Sequence, residues 1–228
     1  MADTRVKTIG TSPGAGSPIW TPQKAMLDGT AFTADWLARM ALEGRMYTVN
    51  AGTGTAPITF AALYTATAPD LDMSVPSGVA IVPVEIHINV EAFGTTLLFE
   101  AIAAYGKGGV IAPTSATAQT PVNHRLDKGN DSGVTIVSDG TGATYMTPAT
   151  SVIEFARWNQ DKVVTIATAV DTSPRQIGSL DWSALNTGVW PIMYATDGIT
   201  RLNIFVSGQA ATGFITMTFV KLPLTTSE

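Results

Sequence analysis

The sequence contains no cysteine, few charged residues and no long apolar run. Without cysteine the chain can hold no disulfide, no thiolate metal site and no cysteine nucleophile. No stretch reaches the roughly 18 consecutive apolar residues of a membrane-spanning helix, and the N-terminal residues lack the apolar segment of a signal peptide. We therefore expect no membrane span, and we expect the protein to be made in a cytoplasm and to stay soluble.

Charged residues make up only 14% of the 228 residues, and the net charge is −5. Residues 1–45 hold five basic and four acidic side chains, whereas the rest of the chain holds eight basic and fourteen acidic ones. An acidic body repels phosphate backbones, and five scattered cations do not form the dense basic arm of a genome-binding tail. Direct binding of nucleic acid is therefore not expected.

Residues that could carry catalysis are also sparse. We interpret the two histidines as isolated, with His87 on the polar face of a strand and His124 in a loop. Glu85 and Glu91 share a strand face, but about 20 Å separates them, which is too far for the paired acids of a glycosidase. No glycine-rich phosphate loop of the P-loop type is present. We predict no enzyme activity, no cofactor, and no catalytic, cofactor-binding or metal-binding residue.

Two ligand hypotheses stay open beside simpler explanations. Asp70 with Asp72, or Asp127 with Asp131, would supply carboxylates for calcium in a loop, although carboxylates that are solvated or paired explain them more simply. Three tryptophans could stack on a sugar: Trp158, Trp182 and Trp190. Packing in the core or at an interface explains them better.

The clearest positive signal is an alternating run from Val82 to Ala92. Aliphatic or alanine side chains occupy the even positions, while proline and polar residues occupy the odd ones. Because successive side chains of a strand point to opposite faces, this period of two predicts a strand with one buried face and one wetted face. Such a strand belongs to an antiparallel sheet.

The rest of the composition agrees with a β protein. The chain has 33 threonines, 21 glycines and 13 prolines, which suit pleated surfaces and the turns between short strands. We predict an all-β, two-sheet antiparallel sandwich that is jelly-roll-like, with an N-terminal extended arm and one short helix. The predicted strands are Tyr47–Asn50, Ile58–Tyr64, Leu71–Val75, Val79–Phe93, Leu97–Tyr105, Val134–Ser138, Val152–Trp158, Val163–Val170, Val189–Tyr194, Arg201–Ser207 and Phe214–Leu222.

The chain divides into an N-terminal arm with a short helix, residues 1–45, and a sandwich domain, residues 46–228. Residues 10–22 are rich in glycine and proline, so we expect an extended arm without a ladder or a helix. Helical spacing of apolar side chains predicts the one helix within Thr33–Gly44, where Gly44 ends it.

Three segments of the sandwich domain are predicted to contact other parts of the structure. Leu97–Tyr105 is apolar on both faces, so we expect the arm, the helix or another subunit to cover it. Ala112–Gly133 and Asp171–Gly188 are predicted to be long irregular loops. Loops of this length are often functional or interfacial, which makes these two candidates for contacts between subunits.

The pattern from Leu71 to Leu222 resembles a viral jelly-roll capsid protein of the small, single-sandwich kind found in tailless icosahedral phages. The resemblance rests on the run Asp72–Gly78, which turns into the long strand Val79–Phe93, on the threonine-rich strands with wide loops that follow, and on the preceding arm. It implies a virion shell component without catalytic residues, whose arm and loops join subunits. The chain lacks the strongly basic arm of many capsid proteins, which would fit a shell separated from its genome by a membrane or by other proteins.

The leading hypothesis is therefore a virion structural protein, a capsid shell subunit that self-assembles through sandwich edges, loops and the N-terminal arm. Its partners would be copies of itself in a symmetric assembly and other virion proteins, and its location would be the virion. The alternative is a carbohydrate-binding β-sandwich, such as a virion spike or a lectin-like module, with aromatic residues beside a loop. An enzyme on a β scaffold would instead need a cleft with facing carboxylates.

Overall fold

Two compact units make up the chain, Met1–Arg39 with Thr225–Glu228, and Met40–Leu224. The computed structural model describes residues 5–8, 19–22, 36–65, 68–92, 98–107, 115–139, 152–161, 179–194, 199–208 and 211–222. Strand β1 (Arg5–Thr8) pairs antiparallel with β2 (Ile19–Pro22). The interpretation that residues 10–22 sustain no ladder is therefore wrong for the last four of them, because β1 supplies the ladder hydrogen bonds; residues 10–18 lie outside the described residues.

Helix α1 (Trp36–Leu42) confirms the helix predicted from apolar spacing. It ends as expected at Gly44, whose φ of 72° is in the left-handed region and whose N–H donates to the carbonyl of Ala41 at 2.9 Å. The predicted start at Thr33 lies outside the described residues.

The larger unit is built almost entirely of strands. Its elements are β3 (Met46–Ala51), β4 (Ile58–Thr59), β5 (Leu71–Pro76), β6 (Ala80–Ala92), β7 (Leu98–Lys107), β8 (Thr117–Gln119), β9 (Val122–Asn123), β10 (Thr135–Ser138), β11 (Val152–Asp161), β12 (Ser179–Ser183), α2 (Ala184–Thr187), β13 (Met193–Tyr194), β14 (Ile199–Ser207) and β15 (Thr212–Leu222).

These strands form two antiparallel sheets that pack as a sandwich. One sheet has the order β11-β7-β14-β5-β10-β8, and the other has the order β12-β6-β15-β3-β9. Eight strands form the frame, and they pair first with last along the chain: β3 with β15, β5 with β14, β6 with β12, and β7 with β11. Such a pairing describes one long antiparallel ribbon wound over both sheets, which is the jelly-roll topology. The predicted fold class is confirmed.

The core lies between the inner faces of the two sheets. Val84, Ile86, Ile88 and Val90 of β6 are buried, while the residues between them are partly or fully exposed, as the alternation predicted. The N-terminal part of β6 is buried on both faces. Pro83 lies there, opposite Phe219, beside an extra residue that β6 has relative to β15, and a strand tolerates a residue without an N–H at such a bulge.

Several predicted boundaries are wrong. The segments predicted as irregular, Ala112–Gly133 and Asp171–Gly188, contain β8, β9, β12 and α2. These elements are two to five residues long, which is too short for a local pattern to predict them firmly, and the three strands are fixed by pairing with other strands. In Ile58–Tyr64 only β4 pairs as a strand, because the N–H groups of Phe60 and Ala61 bond elsewhere. The predicted strand Val163–Val170 lies outside the described residues.

Strand β7 lies between β11 and β14, and both of its faces are buried in the middle of the strand. Ala101 and Ala103 belong to the core, and Ala104, which points to the other face, is only 5% exposed. Burial of this position therefore needs no second subunit.

A split edge strand as candidate functional site

The sheet that contains β6 has seven strands, because β13 also pairs with β6 and β4 pairs with β15. One edge of this sheet is formed by a strand in two pieces. Both β12 and β13 pair with the same side of β6, the first opposite Glu85–Asn89 and the second opposite Ala80–Ile81. Between them the chain leaves the sheet for residues 184–192, which we call the edge segment. It begins with α2, whose last turn is closed by Gly188 at a φ of 70°. Pro191, which has no N–H to give to a ladder, explains why the strand predicted over Val189–Tyr194 is reduced to its last two residues.

The edge segment carries apolar side chains into solvent. Leu185, Val189, Trp190 and Ile192 are between 38% and 59% exposed, and Tyr194 just beyond it is 47% exposed. No charged residue occurs from 182 to 194. Single exposed apolar side chains are ordinary on a protein surface, but a concentration of them marks a site of interaction.

Buried anchors fix the two ends of the edge segment. Ala184 and Met193 belong to the hydrophobic core. Just before the segment, the indole of Trp182 packs edge-on against Phe155 of the opposite sheet at 4.8 Å between ring centroids. The exposed side chains are thus flanked on both sides by residues of the core.

A charged cluster lies on the outer face of the sheet, beside the start of the edge segment. Nδ1 of His87 is 2.7 Å from Oδ1 of Asp181, which is directly opposite on β12. Nε2 of His87 is 3.6 Å from Oε2 of Glu85, two residues earlier on the same strand. The hydrogen bond with Asp181 raises the pKa of His87 above its ordinary value of 6.5, burial opposes this, and Glu85 adds to it.

His87 is therefore not isolated, and neither is His124. Nε2 of His124 is 2.7 Å from Oγ1 of Thr48, which also bonds Thr218 on the neighbouring strand. The interpretation of isolated histidines is wrong because their partners come from distant strands. Of the partners of the two histidines, the sequence pattern could have predicted only Glu85, which lies two positions before His87 on the same strand face.

The carboxylates considered for calcium are engaged by the protein itself. Asp70 is buried and accepts the N–H groups of Ala61 and Val206 at 2.8 and 2.7 Å. Asp72 is also buried and binds Arg201 and Asn203 at 2.7 and 2.8 Å.

The second aspartate pair is used in the same way. Asp127 forms two hydrogen bonds with Arg125, and Asp131 accepts the N–H of Gly133. Among the described residues, no three histidine, aspartate or glutamate side chains converge in a way that could hold a metal ion.

Glu85 and Glu91, the carboxylates considered for catalysis, lie on a different sheet from two other glutamates, Glu100 and Glu154. Glu100 and Glu154 belong to the six-stranded sheet, whereas Glu85 and Glu91 lie on the outer face of the other sheet. Glu154 forms a bidentate pair with Arg157 at 2.8 and 2.9 Å.

The three tryptophans do not form one platform. Trp182 is buried, and the half-buried Trp158 donates its indole N–H to the backbone carbonyl of Asp181 at 3.1 Å. Trp190 is exposed in the edge segment.

Comparison with protein-family models, with curated proteins and with solved structures gave no match. Neither helix in the described part of the chain has the length and apolar character needed to cross a membrane.

Proposed function

We propose that this protein is a virion structural protein, a capsid shell subunit that assembles with copies of itself. The observation that carries the proposal is the uncharged edge segment, which exposes four large apolar side chains at the border of a jelly roll. Jelly rolls of this topology build viral capsids as well as lectins. A shell subunit needs apolar surface at the rim of its sandwich, since that is where neighbours meet.

The distribution of charge supports the same partner. The protein is acidic overall, so two copies repel each other except where their facing surfaces carry no charge. The edge segment is such a surface. Covering it would also protect β12, whose outer side has no partner strand among the described residues.

The test compares two double variants by sedimentation velocity and electron microscopy over a range of concentrations. Leu185→Ser with Ile192→Ser removes apolar area from the edge segment. The control, Leu63→Ser with Leu126→Ser, changes two leucines elsewhere that are 72% and 84% exposed. We expect the first variant to need about tenfold or more protein to assemble, and the control to assemble like the wild type.

Two results would refute the proposal. One is a wild-type protein that stays monomeric at every concentration. The other is an equal loss of assembly in both double variants, since general surface hydrophobicity would then explain the association.

A carbohydrate-binding sandwich is the second candidate, and one observation favours it. Trp190 and Tyr194 expose aromatic rings within five residues of each other, and sugars stack on such rings. A glycan array probed with wild type and with Trp190→Ala tests this function. Binding that is lost in Trp190→Ala but kept in Leu185→Ser would favour the lectin-like function over the shell subunit, because the leucine serves only apolar packing.

A further inference from the structure

One titratable contact adds to the attachment of β12, beside its ladder with β6 and the core packing of Trp182. Within the described residues β12 pairs only with β6, through five residue pairs. Its side-chain partners on the outer face and at the sandwich edge are His87, which bonds Asp181, and Trp158, which donates to the Asp181 carbonyl. The edge segment starts immediately after this strand, so its position follows that of β12.

The groups around the imidazole come from three strands. Asp181 faces it from β12, and Glu85 faces it from β6 itself. On the other side β15 contributes the uncharged Thr216, whose hydroxyl donates to Asn50. Further along the same face of β6, Glu91 lies about 13 Å away by strand spacing. In the part of the chain that the structure describes, the charged groups close to His87 are therefore two carboxylates.

Protonation of His87 turns the interaction between Nε2 and the Glu85 carboxylate from repulsive to attractive. A neutral imidazole has a single N–H, and if Nδ1 donates it to Asp181, then the lone pair of Nε2 faces the Glu85 carboxylate. A protonated imidazole has two N–H groups, so Nδ1 serves Asp181 while Nε2 attracts Glu85. The two carboxylates then hold a cation shared between β6 and β12.

We propose that His87 is a protonation-controlled clamp that holds β12, and with it the edge segment, on β6. The folded state binds the proton more tightly than the unfolded chain does, because the pKa of His87 is raised. The stability that protonated His87 provides is therefore fully present below pH 6.5, its ordinary pKa, and is lost as the pH rises through its pKa in the folded state. If the edge segment is the assembly surface of the proposed function, assembly is favoured in mild acid.

The direct test is amide hydrogen exchange of the whole protein at about pH 5.5 and about pH 8, corrected for intrinsic rates. It uses dilute protein carrying Leu185→Ser and Ile192→Ser, so that assembly does not affect the result. We expect protection of β12 to fall about two- to fivefold more than that of β3 at the higher pH, as the strength of exposed ion pairs predicts. Strand β3 is the reference because any group that changes the stability of the whole fold affects both strands.

Three further variants isolate the clamp. His87→Gln and Asp181→Asn should abolish the pH dependence of β12 protection relative to β3, and Asp181→Asn should lower the NMR-measured pKa of His87. Glu91→Gln removes one charge from the same face of β6 without touching the ring, so it should behave as the wild type. A pH dependence of β12 protection relative to β3 that persists in His87→Gln, or that is absent when His87 is present, would overturn the proposal.

The assembly measurements separate this proposal from the proposed function. A clamp seen by hydrogen exchange in a protein that never assembles would support the clamp and refute the shell subunit. Assembly that occurs equally at both pH values, with β12 protection unchanged, would support the shell subunit and refute the clamp.

Discussion

The guanidinium of Arg201 lies 2.7 Å from the carboxylate of Asp72, with both side chains only 3% exposed. Burial raises the pKa of Asp72. The charge and hydrogen bond of Arg201 and the amide of Asn203 lower this pKa and so offset part of the effect of burial. The two residues are 129 positions apart and lie on adjacent strands, β5 and β14. The same sheet carries a second Arg–carboxylate pair, Arg157 with Glu154, whose side chains are 52% and 42% exposed.

Removing one partner of the buried pair should destabilise the fold strongly. We expect Asp72→Ala to lower the free energy of unfolding by about 3–5 kcal/mol, because it leaves a buried cation unpaired. The matched change Glu154→Ala should cost about 1 kcal/mol or less, because solvent screens an exposed pair. Denaturant unfolding measures both.

The milder variant Asp72→Asn keeps the shape of the side chain and serves if Asp72→Ala does not fold. Equal effects at Asp72 and Glu154 would contradict the role assigned to burial.

The stability of the protein should depend on pH through Asp70. Burial raises its pKa from 3.8 to about 7, while the N–H groups of Ala61 and Val206 lower it in part. Between about pH 4 and pH 7 the folded state therefore holds a proton that the unfolded chain does not. The stability that this proton provides is complete below about pH 4 and is lost as the pH rises to 7, by on the order of a few kcal/mol.

The variant Asp70→Asn cannot titrate at this position. As the pH rises from 4 to 7, the unfolding free energy of the wild type should thus fall relative to that of Asp70→Asn. A difference that stays constant over this range, measured by urea titration, would show that Asp70 keeps its ordinary pKa.

Gly213 should not tolerate a side chain. It lies in β15 beside a bulge of β6, where an added Cβ would fall on the carbonyl oxygen of Asn89 and against the ring of Phe60. We expect Gly213→Ala to cost about 3 kcal/mol or more, since a strand backbone cannot yield as a flexible side chain does. Gly54→Ala is the control, because nothing lies within 4 Å of its added Cβ. Thermal unfolding of both variants checks the contrast.

Deleting residues 1–30 should leave a folded sandwich. The unit Met40–Leu224 is compact by itself and contains both sheets. We expect the truncated chain to keep β-type circular dichroism and near-normal thermal stability, but to assemble poorly, with Trp20→Ala a weaker form of the same defect. Immediate unfolding or aggregation of the truncated chain would mean that these residues belong to the core of their own subunit.

Local pattern determined much of the fold. The alternation in β6 predicted its buried face, helical spacing with Gly44 predicted α1, and turn residues separated most of the frame strands. These features depend on side-chain period and on backbone conformations that only a few residues favour, so they can be read within a short window of sequence.

Tertiary structure alone decided the site. Strand β12 alternates polar and apolar residues over only five positions, and its pairing with β6 determines where it lies. Asp181 meets His87 across 94 residues of chain, and Arg201 meets Asp72 across 129. The apolar residues of the edge segment read locally as a strand, but the interrupted ladder places them in solvent. The sequence determined which residues can form strands, whereas the order in which the ribbon winds determined which of them meet, because pairing between strands distant in sequence leaves no local pattern.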